Sequence, residues 1–288
     1  MDKEIILAKN SGFCFGVKRA VDMVVKYYYT KGVKVSTLGP LIHNNDVIEH
    51  LEAHNIKDIN LAQIDELSAN DVIVLRSHGV TPDVIEKINE TGAKVVDATC
   101  PYVSTIHKKV QKYHSLGYQI IIVGNKEHPE VVGINGWCDN SAVIVRDGNE
   151  LDDVRLGQKV CIVAQTTEKA DNFEQVVTAV SKRCAEVEAF NTICSATKER
   201  QQSAVEVSRQ VDLMIVIGGK HSSNTKKLFE ISRENCEKTI LIENSAELDE
   251  RIILGDAVKK IGITAGASTP DWVIQEVIHK INTVINNV

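Results

Sequence analysis

The protein has 288 residues, of which 43% are hydrophobic and 25% are charged. This composition is typical of a folded protein with a sizeable core, and the length allows two or three domains. The net charge of −6 argues against nucleic acid or an anionic membrane as the main partner. No apolar run approaches the roughly 18 residues of a membrane span, and the start lacks a signal-peptide pattern. We therefore expect a cytoplasmic protein.

Strand-like and helix-like runs alternate along the whole chain. The predicted strands are EIILA, VKVSTLG, a weak run near HNIKDI, VIVLR, AKVVDA, YQIIIVG, AVIVR, KVCIVA, EVEAF, DLMIVIGG, TILIE and KIGITA. Most are short, rich in valine and isoleucine, and nearly continuous in apolar character. Such runs are typical of parallel strands that are covered on both faces. The pattern therefore predicts an α/β fold with small, mostly parallel sheets.

Three cysteines share one local setting, because each follows a predicted strand and precedes a predicted helix. Cys14 follows EIILA, Cys100 follows AKVVDA, and Cys194 follows EVEAF. One such cysteine falls in each third of the chain. This repetition predicts three similar α/β units around a pseudo-threefold axis, with the three thiols converging on a shared centre.

The strand count gives the expected boundaries of these units. The first unit is residues 14–99, the second is 100–193, and the third is 194–288. Only three strands follow Cys194, so the third unit lacks one. The spare strand is EIILA, and we therefore expect residues 1–13 to complete the third sheet.

Polar turns follow other strands in each unit, at the sheet edge where open parallel α/β sheets bind ligands. Backbone N–H groups and the helix dipole favour an anion in such strand-to-helix turns. Imidazole, hydroxyl and amide donors there suit a phosphate or a diphosphate. The candidate residues in these turns are His43, His78, His128, Thr166, Thr167, Ser222, Ser223, Asn224 and Ser268.

Cysteine thiolates are ligands for iron–sulfur clusters and for zinc. A structural zinc site usually contains close Cys-x-x-Cys pairs, and this sequence has none. Three cysteines from separate turns instead fit a 4Fe-4S cluster in which one iron has no protein ligand. A single cysteine is more often a buried apolar thiol, but the repeated setting favours ligands here. The remaining cysteines are interpreted as structural: Cys138, Cys161, Cys184 and Cys236.

Glu130 follows His128 by two positions, and the residues alone leave two interpretations of it open. A carboxyl group that faces a water-poor centre has a raised pKa and can donate protons. A solvated glutamate at a helix N-terminus is more common, and without further evidence it is the preferred interpretation.

The chain also carries a set of motifs that together are highly specific. They are GFCFGVKRA, GPLIHN, RSHGV, DATCP, HPEVVG, QTT, NTICSAT, GGKHSSNT and ITAGASTPDW, and they extend from residue 12 to residue 273. With these motifs the sequence resembles the 4-hydroxy-3-methylbut-2-enyl diphosphate reductase family of the methylerythritol phosphate route to isoprenoids.

The resemblance implies reductive dehydroxylation of an allylic diphosphate to isopentenyl and dimethylallyl diphosphate, with a one-electron donor such as ferredoxin or flavodoxin. It implies a 4Fe-4S cluster on Cys14, Cys100 and Cys194. Thr166 would lie near the substrate hydroxyl, with Glu130 as the proton source. The implied diphosphate ligands are His43, His78, His128, Ser222, Ser223, Asn224 and Ser268. One departure from the family pattern is Glu127, where many members have glycine.

Two other functions remain as alternatives. Another three-cysteine cluster enzyme, such as a quinolinate synthase-like dehydratase, would share the ligand set but not the diphosphate donors. A cluster-based electron carrier or redox sensor would need no open iron, and a fourth cysteine ligand would be expected.

Overall fold

The computed structural model describes residues 3–27 and 33–287. The strands in this part of the chain are β1 (Glu4–Leu7), β2 (Lys34–Leu38), β3 (Lys57–Ile59), β4 (Asp71–Leu75), β5 (Lys94–Asp97), β6 (Gln119–Val123), β7 (Val143–Val145), β8 (Lys159–Ala164), β9 (Glu186–Ala189), β10 (Leu213–Ile217), β11 (Thr239–Ile242) and β12 (Lys260–Ala265). The helices are α1 (Phe15–Val25), α2 (Asn45–Ala53), α3 (Pro82–Glu90), α4 (Pro101–Ser115), α5 (Pro129–Gly136), α6 (Ala170–Ser181), α7 (Ser195–Ser208), α8 (Ser223–Asn235), α9 (Glu250–Leu254) and α10 (Asp271–Asn286). Within the described ranges, no helix is both long and apolar enough to cross a bilayer.

The strands form three four-stranded sheets in which the described pairings are parallel. The first sheet has the order β3-β2-β4-β5, the second has β7-β6-β8-β9, and the third has β11-β10-β12-β1. The three orders are equivalent when β1 is counted as the last strand of the third sheet. The predicted α/β class, with all twelve strands, is confirmed.

The N-terminal strand completes the third sheet, as the strand count predicted. Strand β1 pairs in parallel with β12, in a register that places Ile5 opposite Ile261 and Leu7 opposite Ile263. The pairing extends beyond the strand, because the Ala8 N–H donates to the carbonyl of Ile263 over 2.7 Å. Residues distant in sequence therefore share one sheet.

The contacts between residues divide the chain into two compact units. The terminal unit comprises Met1–Val17, Ile42–Glu49 and Ser195–Val288, and the central unit comprises Lys18–Leu41 and His50–Cys194. The first and second sheets lie in the central unit, and the third sheet lies in the terminal unit. The division into units 14–99, 100–193 and 194–288 stays a prediction.

The second sheet illustrates why the strands are apolar throughout. In β6, Ile120 and Ile122 pack with side chains of α4 and α5. Ile121 and Val123 point the other way and pack with side chains of α6. Because alternate residues of a strand face opposite sides, helices on both faces require a continuous apolar run.

Deleting residues 1–8 is expected to destabilise the third sheet. Ile5 and Ile6 pack against the clusters on its two faces, and each partly buried isoleucine contributes on the order of 1 kcal/mol. Hydrogen exchange should accelerate most in β12, which loses its ladder partner, and less in β11 at the opposite edge. Strand β5 of the first sheet is the internal control. Unchanged protection in β12 would contradict the stabilising role of this pairing.

Candidate functional site

The three predicted ligand cysteines occupy equivalent positions in the three sheets, immediately before α1, α4 and α7. Each cysteine N–H donates to a carbonyl in the turn that follows the neighbouring strand. The acceptors are Ala267 for Cys14 (3.1 Å), Ser77 for Cys100 (2.9 Å) and Thr166 for Cys194 (3.0 Å). An equivalent backbone hydrogen bond therefore fixes each cysteine to the edge of its own sheet. The similarity of the three cysteine turns thus includes their backbone hydrogen bonds.

The surroundings of these cysteines fit metal ligands. All three are partly exposed, and a helix N-terminus favours a thiolate. The Cys14 sulfur also accepts a hydrogen bond from the backbone N–H of Val17 over 3.4 Å. Each of these cysteines is therefore an accessible thiol at a helix N-terminus, and thiols are the ligands that an iron–sulfur cluster requires.

The other cysteines lie in different surroundings. Cys138, Cys161 and Cys236 are buried, and burial raises the pKa of Cys161 to about 12. Cys184 is partly exposed and follows the C-terminus of α6, and burial raises the pKa of its thiol. These environments agree with the structural interpretation of the four residues.

The turn between β6 and α5 fixes His128. His128 is buried and is the N-cap of α5, where its Nδ1 accepts the backbone N–H of Glu130 over 3.2 Å. In a neutral imidazole the other nitrogen, Nε2, then carries the proton. His128 therefore presents a hydrogen-bond donor on the ring edge away from its own helix.

Glu130 is not a solvated helix-terminal residue, because its side chain is only 3% exposed. Its two carboxylate oxygens accept from Thr166, one from the backbone N–H over 2.6 Å and one from the hydroxyl over 2.7 Å. Burial raises the pKa of Glu130 to about 7, although the hydrogen bonds from Thr166 oppose this shift. The structure therefore corrects the preferred sequence interpretation and favours the proton-donor alternative.

Thr166 also connects this carboxyl group to a cysteine turn, since its carbonyl accepts the N–H of Cys194 over 3.0 Å. Thr166 therefore contacts both the Glu130 carboxyl group and the turn of Cys194.

His78 lies in the turn after β4, and its ring contacts the ring of His128 with centroids 5.4 Å apart. Gly133 of α5 packs against this turn, since a Cβ atom built on it would be in ordinary contact, at 3.6 Å, with the carbonyl oxygens of His78 and Gly79. The central unit therefore brings together two of the predicted imidazoles and the buried carboxyl group.

In the terminal unit, the turns that carry the other predicted residues pack closely at the edge of the third sheet. A Cβ atom on Gly266 would lie 2.2 Å from the hydroxyl of Thr225, and one on Gly219 would lie 2.5 Å from the carbonyl of His43. Glycine is thus required for the close approach of the turns containing His43, Ser222 to Asn224, and Ser268.

Asn224 is the clearest indication of a ligand in the terminal unit. Its side chain is buried, and neither its Oδ1 nor its Nδ2 has a hydrogen-bond partner among the described residues. Burying an amide without partners is costly, so a polar ligand is the expected partner. Ser222 has a second, structural role as the N-cap of α8, where its hydroxyl accepts from the Thr225 N–H.

Two residues close to these turns, one in a turn and one on a helix, were not assigned from the sequence. Gln165 is completely buried, and it accepts the Asn125 N–H and donates to Thr167, which joins the turns after β6 and β8. Arg200 on α7 donates to the carbonyl of Gly12 over 2.6 Å, two residues before Cys14. In the sequence, only their positions, Gln165 within QTT and Arg200 shortly after NTICSAT, connect these residues with the candidate site.

Glu127 is exposed, and its backbone N–H donates to the Asn125 side chain over 3.1 Å. The turn therefore accommodates this departure from the family pattern without burying the charge.

Comparisons with known proteins agree with these features. The family model described as LytB protein matches residues 5–282. A protein of Clostridium perfringens (strain 13 / Type A) named 4-hydroxy-3-methylbut-2-enyl diphosphate reductase is 54% identical over 281 residues, which are 98% of this chain and 99% of that protein.

Two solved structures are also similar to this chain. A structure of (E)-4-hydroxy-3-methyl-but-2-enyl diphosphate reductase is 40% identical with a TM-score of 0.72, and the match covers 98% of this chain and 99% of that one. The E-1-hydroxy-2-methyl-but-2-enyl-4-diphosphate reductase from Plasmodium falciparum is 29% identical with a TM-score of 0.89, over 97% and 88% of the two chains. This chain therefore belongs to the LytB family.

Proposed function

We propose that this protein is an oxidoreductase that converts 4-hydroxy-3-methylbut-2-enyl diphosphate to isopentenyl diphosphate and dimethylallyl diphosphate. The reaction consumes two electrons and two protons, replaces the C–O bond by a C–H bond, and releases water. The names of the related proteins support this substrate. The observation that carries the proposal is the buried Glu130 carboxyl group, held by Thr166 beside the turn of Cys194.

The proposed cofactor is one 4Fe-4S cluster held by Cys14, Cys100 and Cys194, the three accessible thiols at helix N-termini. When bound, the cluster supplies single electrons and one iron without a protein ligand, which acts as a Lewis acid. A one-electron donor such as ferredoxin or flavodoxin is the proposed source of the electrons.

The proposed diphosphate ligands are imidazole, hydroxyl and amide groups. His128 offers its Nε2–H, because its Nδ1 is already an acceptor, and His78 lies beside it. Asn224 offers a buried amide whose partners are missing among the described residues. His43, Ser222, Ser223 and Ser268 complete the proposed set.

Proton supply is the proposed role of Glu130 and Thr166. In its protonated state Glu130 can donate to the Thr166 oxygen, while the Thr166 hydroxyl donates to the substrate oxygen. A carboxyl group with a pKa of about 7 is suited to this task at neutral pH. Protonation converts the departing hydroxide, a poor leaving group, into water.

The test of the proposed function is anaerobic turnover with a chemical one-electron reductant. The diphosphate substrate should give both isopentenyl and dimethylallyl products, and the free alcohol should react very poorly. Equal activity on the alcohol would contradict the anion-binding role of the imidazoles. A cluster that is reduced without product, and whose spectrum does not change when the diphosphate is added, would instead favour the electron-carrier alternative. Dehydrating condensation would favour a quinolinate synthase-like enzyme.

Replacing His78 with alanine is expected to raise KM for the diphosphate substrate by about ten- to a hundredfold, since a hydrogen bond to a charged group contributes roughly 1.5–3 kcal/mol. Bound iron should not change. His114→Ala is the matched control, because His114 is a surface histidine that pairs with Asp139. An unchanged KM in the His78→Ala enzyme would remove this residue from the proposed anion site.

A further inference from the structure

A cavity of about 310 Å³ lies in the central unit, behind the turns that carry His78 and His128. Its walls combine apolar side chains, including Leu38, Val84 and Val132, with the guanidinium-bearing side chain of Arg76. None of the residues proposed above for the substrate or the cluster lines it. The cavity therefore needs an explanation of its own.

Within residues 3–27 and 33–287, no side chain is recorded as a partner that explains the position of Arg76. Its Nε is buried and has no hydrogen-bond partner in the described part of the chain. Burial lowers the pKa of the guanidinium, and no carboxylate among the described residues offsets this effect. Keeping a cation in such surroundings is costly unless an anion is present.

The backbone leaves space for the guanidinium group. Gly39 has a positive φ of 67°, and a Cβ atom at this position would lie 3.0 Å from Arg76 Nη1. Any larger residue would therefore be strained in its backbone and crowd the cation. The pocket is thus shaped around an arginine whose Nε–H has no partner among the described residues.

We propose that this pocket binds a small amphiphilic anion, whose oxyanion pairs with Arg76 and whose apolar part contacts Leu38, Val84 and Val132. The guanidinium fork matches a carboxylate or a phosphate through two parallel hydrogen bonds. Val132 is 46% exposed and Leu61 is 57% exposed. These apolar residues border the cavity and give the tail of such a ligand a surface to cover.

The test is calorimetric titration of the full-length, anaerobically purified protein with n-hexyl phosphate, hexanoate, inorganic phosphate and n-hexanol. At least one of the two amphiphilic anions should bind more tightly than both inorganic phosphate and hexanol, and the comparison of hexyl phosphate with hexanoate identifies the head group. If neither amphiphilic anion binds, the proposal is wrong.

Variants then locate the bound anion. Arg76→Gln should weaken binding by about ten- to a hundredfold, as expected for a lost hydrogen bond to a charged group, and Arg76→Lys should weaken it less. Val132→Asp should also weaken binding, because it adds a like charge at the edge of the pocket. Val25→Asp is its matched control, since Val25 is an exposed helical valine that does not line the cavity.

Asn224→Ala distinguishes this pocket from the proposed diphosphate site. Its affinity for the amphiphilic anion should equal that of the parent protein. A loss in Asn224→Ala together with unchanged binding in Arg76→Gln would overturn the proposal. If circular dichroism shows that Arg76→Gln does not fold, the test rests on the Val132→Asp variant, whose substitution is at an exposed position. If Val132→Asp binds the amphiphilic anion with the affinity of the parent protein, the proposed pocket is wrong.

Discussion

Replacing Cys100 with serine is expected to remove most of the bound iron and to abolish turnover. A serine hydroxyl is a hard, neutral oxygen at pH 7, whereas iron in such clusters binds soft thiolates. Because the proposed cluster has only three protein ligands, losing one leaves two. Cys14→Ser and Cys194→Ser should behave in the same way, since all three cysteines have equivalent backbone bonds. Iron and sulfide analysis with Mössbauer spectroscopy provides the measurement.

The controls for this experiment are the cysteines outside the proposed ligand set. Cys184→Ser is the best matched, because Cys184 is also partly exposed. For Cys161 the control is alanine, since a serine hydroxyl in its completely buried position would itself be destabilising. Both variants should keep the iron–sulfur spectrum of the parent. Loss of the cluster in Cys184→Ser with retention in Cys194→Ser would reverse the ligand assignment.

The sheets were predictable because buried parallel strands have an unusual composition. Strand β6 is QIIIV and β10 is LMIVI, and nearly all of their residues are buried. Counting also predicted that β1 completes the third sheet, because the third group of strands lacked one member, but the choice of β12 as its partner comes from the structure. The two-unit division was not predictable in this way, since it depends on contacts of residues 42–49 with a distant part of the chain.

The state of Glu130 could not be predicted from its neighbours in sequence. Its environment depends on Thr166, which lies 36 residues later and follows the adjacent strand β8. The local sequence HPE describes only a helix N-terminus, for which a solvated carboxylate is the usual outcome. The role of Gln165 could not be predicted for a similar reason, because its hydrogen-bond partners Asn125 and Thr167 lie in two different turns.

Replacing Glu130 with glutamine is expected to lower kcat by about 10²- to 10⁴-fold, the usual contribution of general acid catalysis. Glutamine keeps the volume of the side chain and can still hydrogen-bond to Thr166, but it cannot supply the proton. Bound iron and substrate affinity should therefore stay close to the parental values. Glu127→Gln is the matched control, because it removes an exposed carboxylate from the same turn.

The pH profile gives a second and independent measurement. Glu130 must be protonated to act as an acid, and its pKa is about 7 in the free protein. The parental kcat/KM should therefore fall about tenfold per pH unit above pH 7 and level off below it. The Glu130→Gln enzyme should lack this titration. A variant that keeps both the parental rate and the parental profile would exclude Glu130 as the acid.

Stability should respond to the same titration. Because burial raises the pKa of Glu130 from 4.5 to about 7, folding favours the protonated carboxyl group. Its contribution to the free energy of unfolding is complete below pH 4.5 and is lost as the pH rises through 7. A shift of this size corresponds to roughly 3 kcal/mol. Glutamine does not titrate, so Glu130→Gln should gain in Tm relative to the parent between pH 5 and pH 8. If the difference in Tm between Glu130→Gln and the parent stays constant from pH 5 to pH 8, Glu130 is already ionised at pH 5 in the folded protein. It would then have no proton to donate to the substrate.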